Sequence, residues 1–377
     1  MKKLKIIQIV GDGTMTGAPR HVLFLSNELK RRGHKVLIIA PPGPIIKLFK
    51  KAHLPAKEIV MKSPLDRRAD HKIRDEIIKF NPDIVHCHGT RGGWLGRLAA
   101  RKVKNCAIVY TEHLWTKDYH IGNPVWHEFQ LTGLKYMDKF TDATIAVSRS
   151  VRDFLTKSKI VPKGKVFLVP NVLDPQFATV ARYNKPEGVM KVIGSVGSLN
   201  GQKGYLFLIE ALGELARRKI KNWRCQIIGS GPLEKIMRRK IRKYKLIDKV
   251  TIITKVDDIC ETMRHFSIYI QNSATESFGM AVMEAMALGI PPIVTNRGAL
   301  PEIVDNDVSG IIIPYGKPDK IASAIIKLIE DPKLYQRISR QARAKIIGKY
   351  SPTSVTQRIE KIYIRAIKNK QFKKNIN

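Results

Sequence analysis

Twelve short apolar runs recur along this chain, and stretches of helical period separate most of them. That alternation limits the fold more than any other feature. A run of about four to eight apolar residues, buried on both faces, belongs in a parallel sheet. Parallel neighbours need a crossover, usually a helix. The runs at 4–10, 35–39, 83–87, 107–111, 142–147 and 165–169 form a first set. Those at 191–196, 224–228, 249–253, 267–271, 292–295 and 310–313 form a second. Helices are predicted over 17–32, 44–52, 69–80, 91–101, 124–139 and 149–157 in the first set. In the second they are predicted over 204–218, 232–244, 278–287, 317–330, 333–347 and 352–367. The chain of 377 residues is too long for one ordinary α/β unit. The expectation is α/β class: two doubly wound domains facing across a cleft, with ligands at the carboxyl ends of the strands. The expected bounds are 1–172, a linker over 173–189 carrying Pro175, Pro186 and Gly188, a second domain over 190–350, and a helix over 351–377 that returns to the first domain with a basic tail.

Charge narrows the partners without choosing one. The formal net charge is +36. Residues 1–180 hold 32 Lys/Arg and 15 Asp/Glu, and residues 181–377 hold 36 and 17, so the excess is not a tail. Such a field attracts nucleotide phosphates, anionic lipid headgroups or nucleic acid. A Lys-rich, solvated surface is an equal alternative. No RNA- or DNA-binding module is recognisable, and no nucleic-acid partner is expected. Cys87, Cys106, Cys225 and Cys260 are scattered without a C-x-x-C pair, which fits a reducing, cytoplasmic setting. The start, MKKLKIIQIVGDG, reads as a buried strand and not as a leader, because its apolar run is short, holds Gln8 and ends in a Gly-rich turn. No run of about 18 apolar residues is present. Segment 44–54 (PIIKLFKKAHL) mixes apolar and basic residues as an interfacial helix does, while a packed helix with a solvated basic side is the alternative. Further basic clusters lie at Arg67 and Arg68 and at Arg238, Arg239, Lys240, Arg242 and Lys243. The expectation is a cytoplasmic protein with peripheral attachment to an anionic membrane surface.

The string from Glu276 to Glu284 (ESFGMAVME), continuing to Pro291, carries the strongest chemical signal. An apolar run ends in Asn272, Ser273 and Thr275, and Glu276 stands just before a predicted helix. A helix start presents free N–H groups and partial positive charge, a seat for a diphosphate. Glu284 lies about two turns on, roughly 12 Å along the axis, which suits an elongated ligand held at two points. Two glutamates alone would read as a cap and a surface residue. In the first half, Gly11, Gly13 and Gly17 follow the first strand with G-x-G-x-x-x-G spacing. The dinucleotide fingerprint has a different spacing and an acidic residue after the second strand, where this chain has Ala40-Pro41-Pro42. A tight βα turn needing glycine is an equal reading. His86 and His88 share one strand face with Cys87 pointing away, and His113 lies past a strand end. Two ligands without a carboxylate cluster make a poor metal site, so no metal is expected.

The Glu276–Glu284 string resembles the E-x7-E signature of the family 4 glycosyltransferases, retaining enzymes of the GT-B fold with two Rossmann-like domains. The likeness extends through Gly289-Ile290-Pro291, Gly298, Pro301-Glu302-Ile303-Val304 and Gly310. It also covers Arg32-Gly33-His34-Lys35-Val36, Pro82 to His88, Val147-Ser148 and Pro170-Asn171. The resemblance implies that Glu276 holds donor-sugar hydroxyls and that Phe278, Gly279 and Met280 offer backbone N–H groups to sugar and diphosphate. It implies that Glu284 binds the ribose, Lys203 the diphosphate, and Gly229 and Gly231 a turn beside the nucleotide. His113 becomes the histidine near the reaction centre, and the loop of Gly13 and Gly17 admits phosphate or acceptor. Ser198 stands where the family usually carries an Arg, and Thr254 where it often carries a Gly. A serine hydroxyl brings no charge to the diphosphate.

The function so implied is retaining transfer of a hexosyl-type sugar from a nucleotide-diphosphate sugar to a glycan or lipid-linked acceptor, in cell-envelope polysaccharide or lipopolysaccharide synthesis, without cofactor or metal. A nucleotide-sugar epimerase or other enzyme of the same fold is the first alternative, and a basic nucleic-acid-binding protein the second.

Overall fold

The computed structural model describes residues 2–103, 105–119, 123–180 and 190–376. The chain divides into two compact units, Met1–Val172 with Tyr350–Asn377, and Leu173–Lys349. Of the segment expected as a linker, 173–180 contains a short helix, Pro175–Thr179, capped by Asp174. Residues 181–189, with Pro186 and Gly188, lie outside the described residues.

The first unit holds seven parallel strands: β1 (Lys5–Val10), β2 (Lys35–Ala40), β3 (Ala56–Glu58), β4 (Ile84–His88), β5 (Ala107–Glu112), β6 (Ala143–Ala146) and β7 (Val166–Leu168). Their order across the sheet is β3-β2-β1-β4-β5-β6-β7. The central strands are buried along nearly their whole length, which is why they read as unbroken apolar runs. The second unit holds β8 (Lys191–Val196), β9 (Trp223–Ile228), β10 (Val250–Ile253), β11 (Ile268–Gln271), β12 (Pro292–Thr295) and β13 (Ile311–Ile313). Their order is β10-β9-β8-β11-β12-β13. Chain order reverses between β1 and β4 in one sheet and between β8 and β11 in the other. At such switch points the loops diverge to opposite faces and leave a crevice at the strands' carboxyl ends.

Each unit has its own core. In the first, Ile6, Ile38, Ile84 and Val109 of the sheet pack with Val22 and Leu25 of the helix Gly17–Arg31. Val355, Ile359, Tyr363 and Ala366 of the last helix, Pro352–Ile376, complete that core. Glu360 of this helix accepts from Arg32 Nε at 2.8 Å and lies 2.9 Å from His34 Nε2. His34 Nδ1 in turn accepts from the Leu4 N–H at 3.0 Å. The Arg-Gly-His stretch after the first helix therefore anchors the last one. In the second unit, Ile193, Ile227, Ile268 and Ile293 pack beneath Leu208, Leu212 and Ile325.

The helix Pro44–Lys51 turns Ile45, Ile46 and Phe49 into the first core. Its apolar side is used up by packing, so the interfacial reading of segment 44–54 does not hold. Its lysines and Pro44 face solvent.

Candidate functional site

In the second unit the residues singled out in the sequence gather at the β8/β11 switch point. Lys203 closes the turn after β8, and Glu276 closes the turn after β11. Lys203 Nζ lies 2.8 Å from Glu276 Oε2, with both side chains about one-fifth exposed. The lysine expected at the donor diphosphate and the carboxylate expected at the sugar hydroxyls thus pair with each other here.

The backbone around this pair is tightly built. Gly204 has φ +65°, and a Cβ there would come 2.0 Å from the Asn272 carbonyl oxygen. Asn272 Nδ2 donates to the Gly204 carbonyl at 3.0 Å, and the Ala274 N–H donates to the Gln202 carbonyl at 2.7 Å. The two switch-point loops are stitched together by these bonds. Gln271 accepts from the Tyr269 hydroxyl and donates to Ser273 Oγ, each at 2.7 Å. Thr295 Oγ1 donates to the Ser273 carbonyl at 2.6 Å. Gly298, at φ +54°, lies against the Glu276 backbone, and the Ala299 N–H donates to the Glu276 carbonyl at 2.8 Å.

The helix after Glu276 runs Met280–Ala287, two residues shorter at its start than expected. Gly279 precedes it at φ +96°, and the Phe278 side chain is buried. The N–H groups of Met280, Ala281 and Val282 have no acceptor within a helix that starts there. Glu284 lies one turn in and is buried. Gly229 packs on the Gly197 carbonyl and Gly231 on the Leu199 carbonyl, so the turns after β8 and β9 touch backbone to backbone. Ser198, between them, is exposed, as is Thr254 after β10.

In the first unit, Gly13 packs on the Pro42 carbonyl, and its own carbonyl accepts from the Ile45 N–H at 3.1 Å. Gly17 is the first residue of its helix. The register pairs Gln8 with His86 and His88 with Thr111, which puts these four side chains on one face of β1, β4 and β5. Cys87 points to the other face, where Gly96 leaves room for its sulfur.

On the first face runs a buried chain of hydrogen bonds. Gln8 Nε2 donates to the Tyr363 hydroxyl at 3.1 Å, and Gln8 Oε1 lies 2.7 Å from His88 Nε2. With His88 Nε2 donating there, its Nδ1 accepts from His113 Nε2 at 3.2 Å. At the other end the Tyr363 hydroxyl donates to His86 Nδ1, and His86 Nε2 donates to Thr111 Oγ1, each at 2.7 Å. His21 joins the cluster, accepting from the Val172 N–H at 3.1 Å, with its ring 5.4 Å from that of His113. Burial pulls the pKa of His21 down to about 3. Burial, reinforced by the neighbouring imidazoles, holds His86, His88 and His113 well below the usual histidine range. All four are neutral at pH 7. Each of His86, His88 and His113 is engaged with a neighbour and not aimed at a shared point. Among the described residues no group of three or more His, Cys, Asp or Glu could hold a metal ion.

Sequence reasoning singled out Lys203, Glu276 and the three histidines but missed Gln8, His21, Asn272 and Tyr363. Gln8 did carry a signal, as a polar residue inside an apolar strand.

Two family models match the chain, "Glycosyltransferase Family 4" over residues 15–177 and "Glycosyl transferases group 1" over residues 180–345. Among curated relatives, an Escherichia coli UDP-Gal:alpha-D-GlcNAc-diphosphoundecaprenol alpha-1,3-galactosyltransferase is 25% identical over 76% of this chain and 76% of its own length. Among solved structures, a glycosyltransferase from Rickettsia africae superimposes with a TM-score of 0.82 at 23% identity, covering 98% of this chain and 100% of the other. Anabaena HepE in complex with UDP-glucose gives 0.80 at 19% identity, covering 95% and 99%.

Proposed function

The chain belongs to the family 4 glycosyltransferases and has the GT-B fold, and on that premise we propose that it transfers a hexosyl-type sugar from a nucleotide-diphosphate sugar with retention of anomeric configuration. The acceptor is a glycan or lipid-linked sugar of the cell envelope, met on the cytoplasmic side of a membrane. One observation carries the donor assignment. Lys203 and Glu276 meet at the switch point of the second sheet, beside a helix start with free N–H groups.

In this reading the donor diphosphate takes Lys203 and the N–H groups at Gly279 and Met280. Glu276, released from the lysine, accepts from the sugar hydroxyls. Glu284 takes the ribose, and the glycine turns at Gly229 and Gly231 let the nucleotide lie close to the backbone. The bond from the anomeric carbon to the diphosphate oxygen breaks, and the leaving diphosphate keeps the electron pair. The acceptor oxygen bonds to the same face of that carbon, and its proton passes to the departing phosphate. Fixed dipoles and one lysine stabilise the charge that develops on the leaving group. No metal is needed for that task. His113, held by His88 in the first unit, is assigned to the transfer step. UDP-glucose bound in a structural neighbour and the diphosphoundecaprenol acceptor named for a relative support the substrate classes.

A panel of nucleotide sugars is screened by thermal shift, because a donor that binds the folded state raises its apparent stability. The stabilising donor is then incubated with lipid-linked and soluble acceptors, and the product linkage is read by NMR. Release of nucleoside diphosphate with an inverted linkage, or interconversion of the sugar without such release, would refute the proposal.

A further inference from the structure

The helix Pro124–Asp138, in the crossover between β5 and β6, buries Gln130, Leu134 and Met137 inward. On its other side Val125 is 79% exposed, Trp126 46%, Phe129 44% and Tyr136 46%. At 100° per residue, Val125, Tyr136, Phe129 and Trp126 lie at about 0°, 20°, 40° and 100°, so the four apolar groups fall within roughly 100° of one another on one face. The stripe is built and not scattered. The rings of Trp126 and Phe129 stack at 5.2 Å, and Trp94 stacks on Phe129 at 6.0 Å. Gly133 makes room for the Trp94 ring, which a Cβ there would meet at 1.9 Å.

Basic groups flank it. Lys135 and Lys139 are exposed on one side, and Lys139 Nζ lies 5.7 Å from the Tyr136 ring centre. Arg101 approaches the Tyr136 hydroxyl at 3.5 Å and lies over Phe140 at 4.8 Å, with Lys102 beside it. Glu128 is the one exposed acid of the helix among the described residues. Exposed aromatic rings with an aliphatic tip, edged by lysine and arginine, match the boundary of an anionic bilayer. There the rings enter the headgroup layer and the cations meet phosphate.

We propose that this face docks the protein on an anionic lipid surface. The same crossover carries His113 at its start, so docking would present a lipid-linked acceptor to the carboxyl edge of the first sheet. That purpose rests on the proposed transfer reaction; the docking itself does not.

Flotation of the full chain with vesicles tests it. The wild type floats with phosphatidylcholine–phosphatidylglycerol vesicles and not with phosphatidylcholine alone, and added salt weakens the binding. Lys135→Glu with Lys139→Glu lowers partition by about 30-fold or more, since each basic residue near such a surface is worth roughly fivefold. Trp126→Ser with Phe129→Ser lowers it about tenfold or more through lost apolar contact. Lys47→Glu with Lys50→Glu, on the helix whose apolar side is already packed, changes it little. Transfer to a water-soluble acceptor stays at the wild-type rate in the stripe variants. Flotation unaffected by the stripe variants, an equal loss in the Lys47/Lys50 control, or capture of poly(U) without vesicle binding would each overturn the proposal. Intact docking with no sugar transfer would instead refute the reading of the reaction.

Discussion

Lowering the pH from 7 to 5 should destabilise the first unit selectively, because it holds four buried neutral imidazoles. Histidine in the unfolded chain titrates near 6.5. His21 in the folded chain is held near 3 by burial. A folded pKa below the unfolded one means that the unfolded state binds more protons between these values. The stabilisation is therefore complete above about pH 6.5 and is lost as the pH falls toward the folded value. For His21 the loss between pH 7 and 5 is about 2 kcal/mol. Burial displaces His86, His88 and His113 in the same direction, so each adds to the loss on acidification. The His21 contribution alone is a sizeable part of the stability of an ordinary domain. The loss should set in below about pH 6.5, where the unfolded chain binds protons that the folded first unit excludes. Hydrogen exchange followed by mass spectrometry gives the assay, with an internal control. His265 is the one histidine of residues 173–349, and it is half exposed. Protection of β4 amides should fall by about 30-fold or more on acidification, while that of β12 amides stays nearly level. If β4 protection, corrected for intrinsic exchange, were unchanged at pH 5, or fell in step with β12, the buried imidazoles would not govern acid stability.

The Lys203–Glu276 pair makes the two members respond with opposite sign. Glu276→Ala should abolish transfer yet tighten nucleoside-diphosphate binding by about three- to tenfold in calorimetry, because the lysine loses a competing carboxylate. Lys203→Ala should weaken that binding by tenfold or more and lower turnover with it. Gly298→Ala should depress transfer in a chain that still folds, since a Cβ there would come 2.1 Å from the Glu276 carbonyl oxygen at a φ of +54°. Steady-state kinetics beside circular dichroism checks it. Chelator treatment should leave transfer intact, and rescue of a chelated enzyme by a divalent ion would contradict the metal-free reading.

The sheets were legible because their strands are buried on both faces and so stand out as apolar runs. β3 was not, since Ala56-Lys57-Glu58 sits at the sheet edge with two exposed side chains. The helices Ile259–Met263 and Leu300–Ile303 escaped notice because one turn shows no periodicity. Segment 44–54 illustrates the opposite limit. Its amphipathic pattern is real, but a pattern cannot say whether the apolar side meets lipid or core, and Phe49 meets core. The candidate donor site was legible in Lys203 and Glu276 one by one. That they face each other follows only from the strand order, which brings β8 and β11 side by side. The histidine network was half legible. His86 and His88 share a face by alternation, but the hydroxyl that links His86 to Gln8 comes from Tyr363, hundreds of residues away.

That distant hydroxyl bears on how the molecule comes into being. Tyr363 seals the polar face of the first sheet, and Val355 and Ile359 finish its core. A growing chain exports the first 172 residues long before it supplies the helix that finishes them. The second unit, continuous in sequence, can mature while its predecessor waits half-built with its histidines wet. Assembly of the earlier-made half should therefore be the last event of biogenesis, and a ribosome stalled before residue 350 should display a finished second unit beside an open first one.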